Sequence, residues 1–200
     1  MALNANALTS LATAKTVLSI PTLDITQDSR VERLINASSG FIEKQTDRLL
    51  KTQTITEFHD GRRFDRLILR QWPISSITSL RLDNSSVFTD PSTLVDTTEY
   101  VLENDQELVL LSSIFPIGNK NIKIVYVAGY ITVSSDLEDA CLKLIQWWEK
   151  METNRDIGTS TKSKQDENIT LVQGVPEIIN IMLEPYKRRQ FVTTVPINNS

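Results

Sequence analysis

The sequence is poor in the residues that build disulfides and metal centres: its 200 residues include one cysteine, Cys141, and one histidine, His59. A single cysteine cannot close an intrachain disulfide. One cysteine and one histidine are also too few to form the ligand cluster of a zinc or iron–sulfur centre. No run of about 18 apolar residues exists, and the first residues lack the basic and apolar regions of a signal peptide. We therefore expect a protein of a reducing compartment that neither spans a membrane nor binds a metal.

Motifs for nucleotide binding and hydrolysis are also missing. The six glycines are scattered and form neither Gly-x-Gly-x-x-Gly nor a Walker A loop, so no phosphate-binding loop is predicted. Gly-x-Ser-x-Gly and His-Glu-x-x-His are absent, and no glutamate has a lysine two positions later, as a common nuclease signature requires. His59, beside a predicted turn, is interpreted as an ordinary residue at a strand end. Neither enzyme activity nor a cofactor is expected.

Acidic residues outnumber basic ones, since 25 Asp and Glu against 21 Lys and Arg give a net charge of −4. This balance argues against a protein that reads DNA with a basic face, so any contact with DNA should be loose. Two acidic clusters occur: Glu103, Asp105 and Glu107, and Asp136, Glu138 and Asp139. Carboxylates of this kind could bind Mg²⁺ or Ca²⁺, but a solvated turn and a helix start are the simpler interpretation.

Apolar residues recur at helical spacing in two segments near the N-terminus. The first, residues 7–19, stops before Pro21 because the residue preceding a proline is pushed out of the α region. The second runs from Asp28 to about Leu50 and has acidic and hydroxyl residues at its start, as a helix N-terminus favours. Gly40 in its middle costs about 1 kcal/mol relative to alanine, which indicates either a bend or a close approach by another backbone.

From residue 52 the apolar pattern changes to the alternation of β-strands. Residues 52–73 predict two strands joined by a turn at Asp60–Gly61, since Asp-Gly readily adopts the positive φ angles of a tight hairpin. A third strand is predicted over 74–82, and a loop around one short strand over 83–98. Three more strand candidates follow at 99–105, 107–111 and 121–130, with Pro116 and Gly118 in the turn between the last two. The segment 52–133 is therefore predicted to be antiparallel β structure.

Helical spacing returns near residue 134. A capping pattern of serines and acidic residues starts at Ser134, and an apolar stripe follows to about Arg155. Residues 156–170 contain almost nothing that could be buried, so a mobile loop is predicted there. A final helix is predicted to begin at Pro176, a favoured residue of the first turn, and an extended tail over 191–200.

This order of elements predicts an α+β fold: a discontinuous four-helix bundle, built from two N-terminal and two C-terminal helices, with an inserted antiparallel β region. Neither helix pair can bury its apolar stripe alone, so the pairs are expected to pack together. The predicted division is 1–51 and 134–190 for the bundle, 52–133 for the β region and 191–200 for the tail.

Two adjacent tryptophans, Trp147 and Trp148, lie in the third predicted helix. Adjacent helical residues point about 100° apart, so if Trp148 faces the bundle then Trp147 lies at its margin or outside. An exposed Trp147 would indicate an interface, whereas a half-buried core residue is the simpler interpretation. Trp147, with Lys162 and Lys164 of the polar segment, is a candidate for a subunit interface or a channel lining.

Several segments together resemble one protein family. NIKIVYVAGY ends in Tyr-x-x-Gly-Tyr at Tyr130; SSDLEDACLKLIQWWEKMETNR opens with an acidic segment, contains Ala140 and ends near Arg155; and VPEIINIMLEPYKRR closes the last helix. VERLINASSGFIEKQTDRLL is similar to an opening helix, and WPISSITSLRLDN resembles a Pro-x-x-x-Ile/Val-x-Ser strand. These are features of tailed-phage head-to-tail connector, or adaptor, proteins. One departure is Val133, which stands where a proline often precedes the third helix.

The resemblance implies a structural protein without enzymatic activity. Such proteins assemble as a ring, typically twelve-fold, beneath the portal of the capsid, extend the DNA channel, and present a surface for the next neck protein. Double-stranded DNA then passes without sequence-specific contact, and an acidic chain suits such passage because it repels phosphates. The implied location is the head–tail junction of the virion, after synthesis in the bacterial cytoplasm.

By position, the resemblance implies that residues 178–200 dock on the portal. The candidate docking residues are Ile178, Met182, Tyr186, Lys187, Arg188, Arg189 and Phe191. The basic cluster at 187–189 could instead contact DNA phosphates, or simply complement the dipole of the last helix. The polar segment 156–170 is expected to face either the channel or a neighbouring subunit.

Two other classes of function stay open from the sequence. The β region could be a receptor-binding or protein-binding lobe of another virion protein, carried on a helical base. An enzyme would have to be a hydrolase that uses carboxylates to bind a metal, which the acidic clusters make conceivable.

Overall fold

The computed structural model describes residues 2–153, 161–164, 167–170 and 174–188. Within these ranges the chain is α+β, with four α-helices and eight strands. The helices are α1 (Leu11–Val17), α2 (Asp28–Thr46), α3 (Ser135–Thr153) and α4 (Glu177–Leu183). The strands are β1 (Gln53–Gly61), β2 (Arg66–Ile68), β3 (Ile74–Leu82), β4 (Tyr100–Glu103), β5 (Glu107–Leu110), β6 (Gly118–Ala128), β7 (Thr161–Lys164) and β8 (Glu167–Thr170). No helix of the described ranges is long and apolar enough to cross a membrane.

The helices bury their apolar faces in one common cluster. Members spaced three or four residues apart lie on the same face of a helix, which is why each helix buries one stripe. The cluster includes Val31, Leu34, Ile35 and Ile42 of α2, Leu137, Leu144 and Ile145 of α3, and Ile179 and Leu183 of α4. All four predicted helices are confirmed as elements, with ends that differ by a few residues.

The C-terminal end of α2 is set by the backbone conformation of one residue. α2 stops at Thr46, short of the predicted Leu50, because Asp47 adopts the left-handed conformation with φ 52° that commonly ends helices. Gly40 lies inside α2, and a Cβ built on it would meet nothing within 4 Å. Of the two alternatives offered for Gly40, the close approach of another backbone is therefore wrong.

Strands β1 to β6 form two antiparallel three-stranded sheets, in the orders β1-β6-β3 and β2-β5-β4. Apolar side chains from both sheets meet in a second core cluster, which includes Leu108 and Leu110 of β5 and Ile122, Ile124 and Tyr126 of β6. The predicted antiparallel β region is confirmed, and β3 occupies the predicted range 74–82.

The hairpin predicted at Asp60–Gly61 is wrong. β1 runs through Gly61 and pairs with β6, whereas β2 belongs to the other sheet and pairs with β5. The glycine is needed for a different reason: a Cβ on Gly61 would lie 1.7 Å from the carbonyl oxygen of Pro116. Gly61 therefore marks a close approach between β1 and the distant segment at Pro116. From sequence alone, a glycine needed for such an approach cannot be told apart from a glycine needed for a tight turn.

Three smaller predictions are also corrected. Within 83–98 a 3₁₀ turn at Pro91–Thr93 replaces the expected short strand, because Asp90 and Pro91 favour a turn start. Gly118 begins β6 rather than lying in the preceding turn. The segment 156–170 contains the antiparallel pair β7–β8, whose β-branched Thr161, Ile169 and Thr170 favour strands.

Replacing Gly61 with alanine should lower the free energy of unfolding by about 2 kcal/mol, because overpacking of this kind forces backbone shifts. Gly40→Ala is the matched control: its site is open, so alanine should raise that free energy by about 0.5–1 kcal/mol by its higher helix propensity. Chemical denaturation of the two purified variants measures both values. Equal effects of the same sign would contradict the assigned role of Gly61.

Candidate docking site

Arg48 lies just after α2, where the chain leaves the helices for the β region. Its side chain is 2% exposed, and its Nη1 donates to the carbonyl oxygen of Tyr186 at 3.1 Å. Its Nη2 donates to the carbonyl oxygen of Trp72, and the guanidinium lies 3.7 Å from the centre of the Trp72 ring. Burial lowers the pKa of Arg48, but an arginine keeps its charge. One charged group therefore holds the β region and the C-terminal segment together.

Tyr186 fixes the position of the chain after α4. It is 8% exposed, and its hydroxyl donates to Oδ2 of Asp136 and accepts from Oγ of Ser134, each at 2.6 Å. Burial and the contact with Asp136 raise the pKa of Tyr186, while the same hydrogen bond lowers the pKa of Asp136. Tyr186 also packs edge-on against Tyr130, with ring centres 6.0 Å apart. The side chain thus joins α4 to the start of α3.

Arg188 continues this attachment at the end of α2. Its backbone N–H donates to the carbonyl oxygen of Thr46 at 2.8 Å, one of the carbonyls that a helix C-terminus leaves without an intrahelical partner. Its guanidinium donates to Oδ2 of Asp47 at 3.2 Å. Residues 186–188 are therefore held against the end of α2 and the start of α3.

The helix α4 presents apolar side chains on two faces. Ile179 and Leu183 are buried in the helical core, whereas Ile178 is 53% exposed and Ile181 is 60% exposed. Residues three apart lie on one face of a helix, so Ile178 and Ile181 form a short outward ridge, with the half-buried Met182 at its margin. We call these three residues the α4 ridge. Exposed apolar side chains that lie together can serve as a docking surface.

The other predicted site residues are spread over the molecule. Lys187 pairs with Glu184, and Trp147 is half-buried and packs against the helical core. Lys162 and Lys164 lie on β7, whereas Arg189 and Phe191 fall outside the described residues. Ile181, which the sequence prediction missed, could have been found from its three-residue spacing to Ile178. The docking and interface roles of all these residues stay predictions.

The two acidic clusters are used in contacts within the chain. Glu103 and Glu107 both pair with Arg66, and Asp139 pairs with Lys143 one helical turn away. Glu138 accepts a hydrogen bond from the hydroxyl of Thr9. Within the described residues, no group of three or more His, Cys, Asp or Glu side chains could hold a metal ion.

His59 takes part in a buried polar network of the β region. Its Nε2 lies 2.7 Å from Oε2 of Glu57, and the hydroxyl of Tyr126 donates to Oε1 of Glu57 at 2.6 Å. Burial acts to raise the pKa of Glu57, but the hydrogen bonds from His59 and Tyr126 outweigh it, so this pKa lies below its usual value. No nucleophile is part of this network, and its hydrogen bonds satisfy a buried carboxylate in the sheet.

A family model described as "Head completion protein" matches residues 7–189. No curated protein matches the chain.

Solved structures share the fold over nearly the whole chain. One, described as the neck of an empty gene transfer agent (GTA) particle computed with C6 symmetry, has a TM-score of 0.66 at 16% identity and covers 96% of both chains. Another, from the virion of a native GTA particle, has a TM-score of 0.64 at 17% identity and covers 96% of this chain and 95% of its own. A third, the neck of a native GTA particle computed with C12 symmetry, has a TM-score of 0.58 at 19% identity and covers 96% of this chain and 98% of its own.

Replacing Arg48 with methionine should lower the free energy of unfolding by about 3 kcal/mol, because two carbonyl oxygens lose a charged donor. Amide exchange over 177–186 should accelerate more than exchange in the middle of α2, which hydrogen-exchange mass spectrometry measures. Arg48→Lys should give an intermediate effect, since lysine keeps the charge but not the planar fork. Arg62→Met, at an exposed arginine, is the control and should change stability by less than about 0.5 kcal/mol. Equal exchange in all four proteins would contradict the role of Arg48.

Proposed function

The chain belongs to the head completion protein family, and from this premise we propose that it is the adaptor that joins capsid to tail in the neck of a tailed-phage or phage-like particle. In this role twelve copies form a ring beneath the portal, extend the DNA channel, and present a platform for the next neck protein. Head completion proteins are a structural class rather than a class of enzymes. The resemblance to head-to-tail connector proteins is thereby confirmed at the level of the family.

The observation that carries the proposal is the family match over 7–189. The likeness to neck structures computed with C6 and C12 symmetry supports a ring, because rotational symmetry of that kind arises when identical subunits repeat around an axis. Because 96% of this chain is covered, the shared fold includes both the helices and the β region.

Each part of the fold suits a part of the proposed role. The helices, as a four-helix bundle formed by 1–51 and 134–190, would make the body of the subunit, and the β region 52–133 would project from it. The separate core clusters of the helices and of the sheets support this division. The net charge of −4 suits a channel through which DNA must slide without sticking.

The proposed contact with the portal is the C-terminal segment 178–200, in which the α4 ridge comes first. The support is threefold: the ridge is apolar and exposed, Tyr186 attaches the segment to α3, and Arg188 attaches it to α2. A rigidly held start reduces the entropy that docking must remove from the segment. The tail 191–200 is proposed to extend the same contact.

Ile178→Asp together with Ile181→Asp should weaken binding to portal-bearing heads at least about tenfold, because charges would be buried in an apolar contact. The protein should stay folded, since both side chains are exposed. Asn180→Asp, an exposed position on the same helix, is the matched control and should bind normally. Cosedimentation of each purified variant with tailless heads measures binding. Normal binding by the double variant would move the portal contact away from α4.

Copy number tests the proposed function as a whole. Quantitative mass spectrometry should find the chain in both complete particles and heads stalled before tail attachment, at about the copy number of the portal. Its presence only in tails or fibres would contradict the adaptor function and favour a receptor-binding role for the β region.

A further inference from the structure

The two small sheets share one core cluster, and β1 and β3 are the opposite edges of the first sheet. On one side are β1 and β2, each of which pairs with a single strand. On the other side β3 is extended by residues 94 and 95, through a bridge from Leu94 to Arg81 and a hydrogen bond from Val95 to the carbonyl oxygen of Leu80. Three strand spacings separate β1 from this extension, about 14 Å in all. The β region therefore has two distinct lateral faces.

The β1–β2 side contains a groove of about 450 Å³. We call it the basic groove, because its lining includes Arg62, Arg66, Arg70 and Lys120 against one carboxylate, Asp60. Arg66 is already neutralised by Glu103 and Glu107. The side chains of Arg62, Arg70 and Lys120 make no ion pair with the described part of the chain.

The groove also carries exposed apolar side chains. Phe64 is 64% exposed, Ile68 is 42% exposed and Phe58 is 44% exposed, and all three line it. Apolar surface of this kind favours a protein partner over the sugar–phosphate backbone of DNA, which offers little apolar area to a groove.

The opposite side carries an acidic stretch, residues 90–99, with Asp90, Asp96, Glu99 and no lysine or arginine. All three acidic side chains are exposed, and the apolar Leu94 among them is 50% exposed. Its shape is fixed from within: Arg81 donates to the carbonyl oxygen of Asp90, and the Asp90 carboxylate accepts from the N–H of Ser92. The stretch is thus an ordered acidic and apolar surface.

A ring places one face of each subunit against a different face of the next, so the two faces must be complementary. We infer that the basic groove of one copy receives the acidic stretch, residues 90–99, of the neighbouring copy. Charge of opposite sign and exposed apolar side chains on both surfaces meet the two requirements of such a contact. This inference rests on the proposed ring and assigns the surfaces that close it.

One variant reverses the charge of the basic groove, and a second reverses the charge of the acidic stretch. Neither removes a hydrogen bond within the described part of the chain. Arg62→Glu with Arg70→Glu changes only exposed side chains of the groove. Asp90→Asn, Asp96→Asn and Glu99→Lys change the stretch, and asparagine keeps the acceptor oxygens that serve Ser92 and Thr98. Circular dichroism and thermal unfolding of each purified variant confirm that it folds.

The readout is the number of copies per particle when the variant is the sole source of the chain, measured by mass spectrometry against the portal protein. Either variant alone should lower the copy number at least about tenfold, because like charges then meet across the contact. The two variants combined should recover most of the copies. If instead single variants assemble normally, or the combination does not recover, the inference is overturned.

A matched control separates pairing from net charge. Lys44→Glu with Lys150→Glu makes the same charge change at exposed helical positions, and combining it with the changed acidic stretch should give no recovery. Recovery by this control would overturn the inference. Loss of packaged DNA at a normal copy number would also overturn it, because the groove would then face the DNA.

Failure of the inference and failure of the proposed function are distinguishable. If the wild-type chain is present at the copy number of the portal and the groove variants also assemble normally, the inference is wrong but the proposed function stands. Absence of the wild-type chain from heads and necks removes the proposed function itself.

Discussion

Arg48 connects three parts of the chain that are far apart in sequence: the end of α2, the entry to β3 at Trp72 and Tyr186, three residues after α4. Burying a guanidinium is costly unless its donors are satisfied, and the buried Nε of Arg48 has no hydrogen-bond partner in the described part of the chain. The two carbonyl oxygens that accept from its Nη atoms must therefore stay in place for the charge to be tolerated. Arg48 is therefore the one side chain described above that contacts all three of these parts, and Tyr186 and Arg188 add further attachments of the C-terminal segment to the helices. If the C-terminal segment meets the portal, this contact also sets the direction in which the β region projects.

The sequence predicted those elements whose signal is local. α2 and α3 are long amphipathic stripes, and β3 alternates within its own nine residues, so each could be found from its own residues. The pairing of the strands could not be predicted from local signals, because the partner of β1 is β6, which lies more than fifty residues further along the chain. Gly61 was interpreted as part of a hairpin turn. The structure needs a glycine there because the carbonyl oxygen of Pro116 leaves no room for a Cβ.

The candidate docking site was predictable in part for the same reason. The α4 ridge follows from helical spacing, although the sequence alone missed Ile181. The burial of Tyr186 and the hydrogen bonds of Arg48 could not be predicted, because they depend on where distant segments meet. The basic groove and the acidic stretch are likewise invisible as motifs: each becomes a surface only once β1 and the extension of β3 occupy opposite edges of one sheet. The net charge of the whole chain, −4, does not reveal that basic and acidic residues are separated in this way.

We propose that this chain forms the ring next to the portal. Cryo-electron microscopy of the neck of intact particles tests it most directly. We expect twelve copies of this α+β fold beneath the portal, with α4 towards the portal and the β regions in lateral contact. A ring at that position built from a different fold, with this chain located in the tail or fibres, would contradict the proposed function.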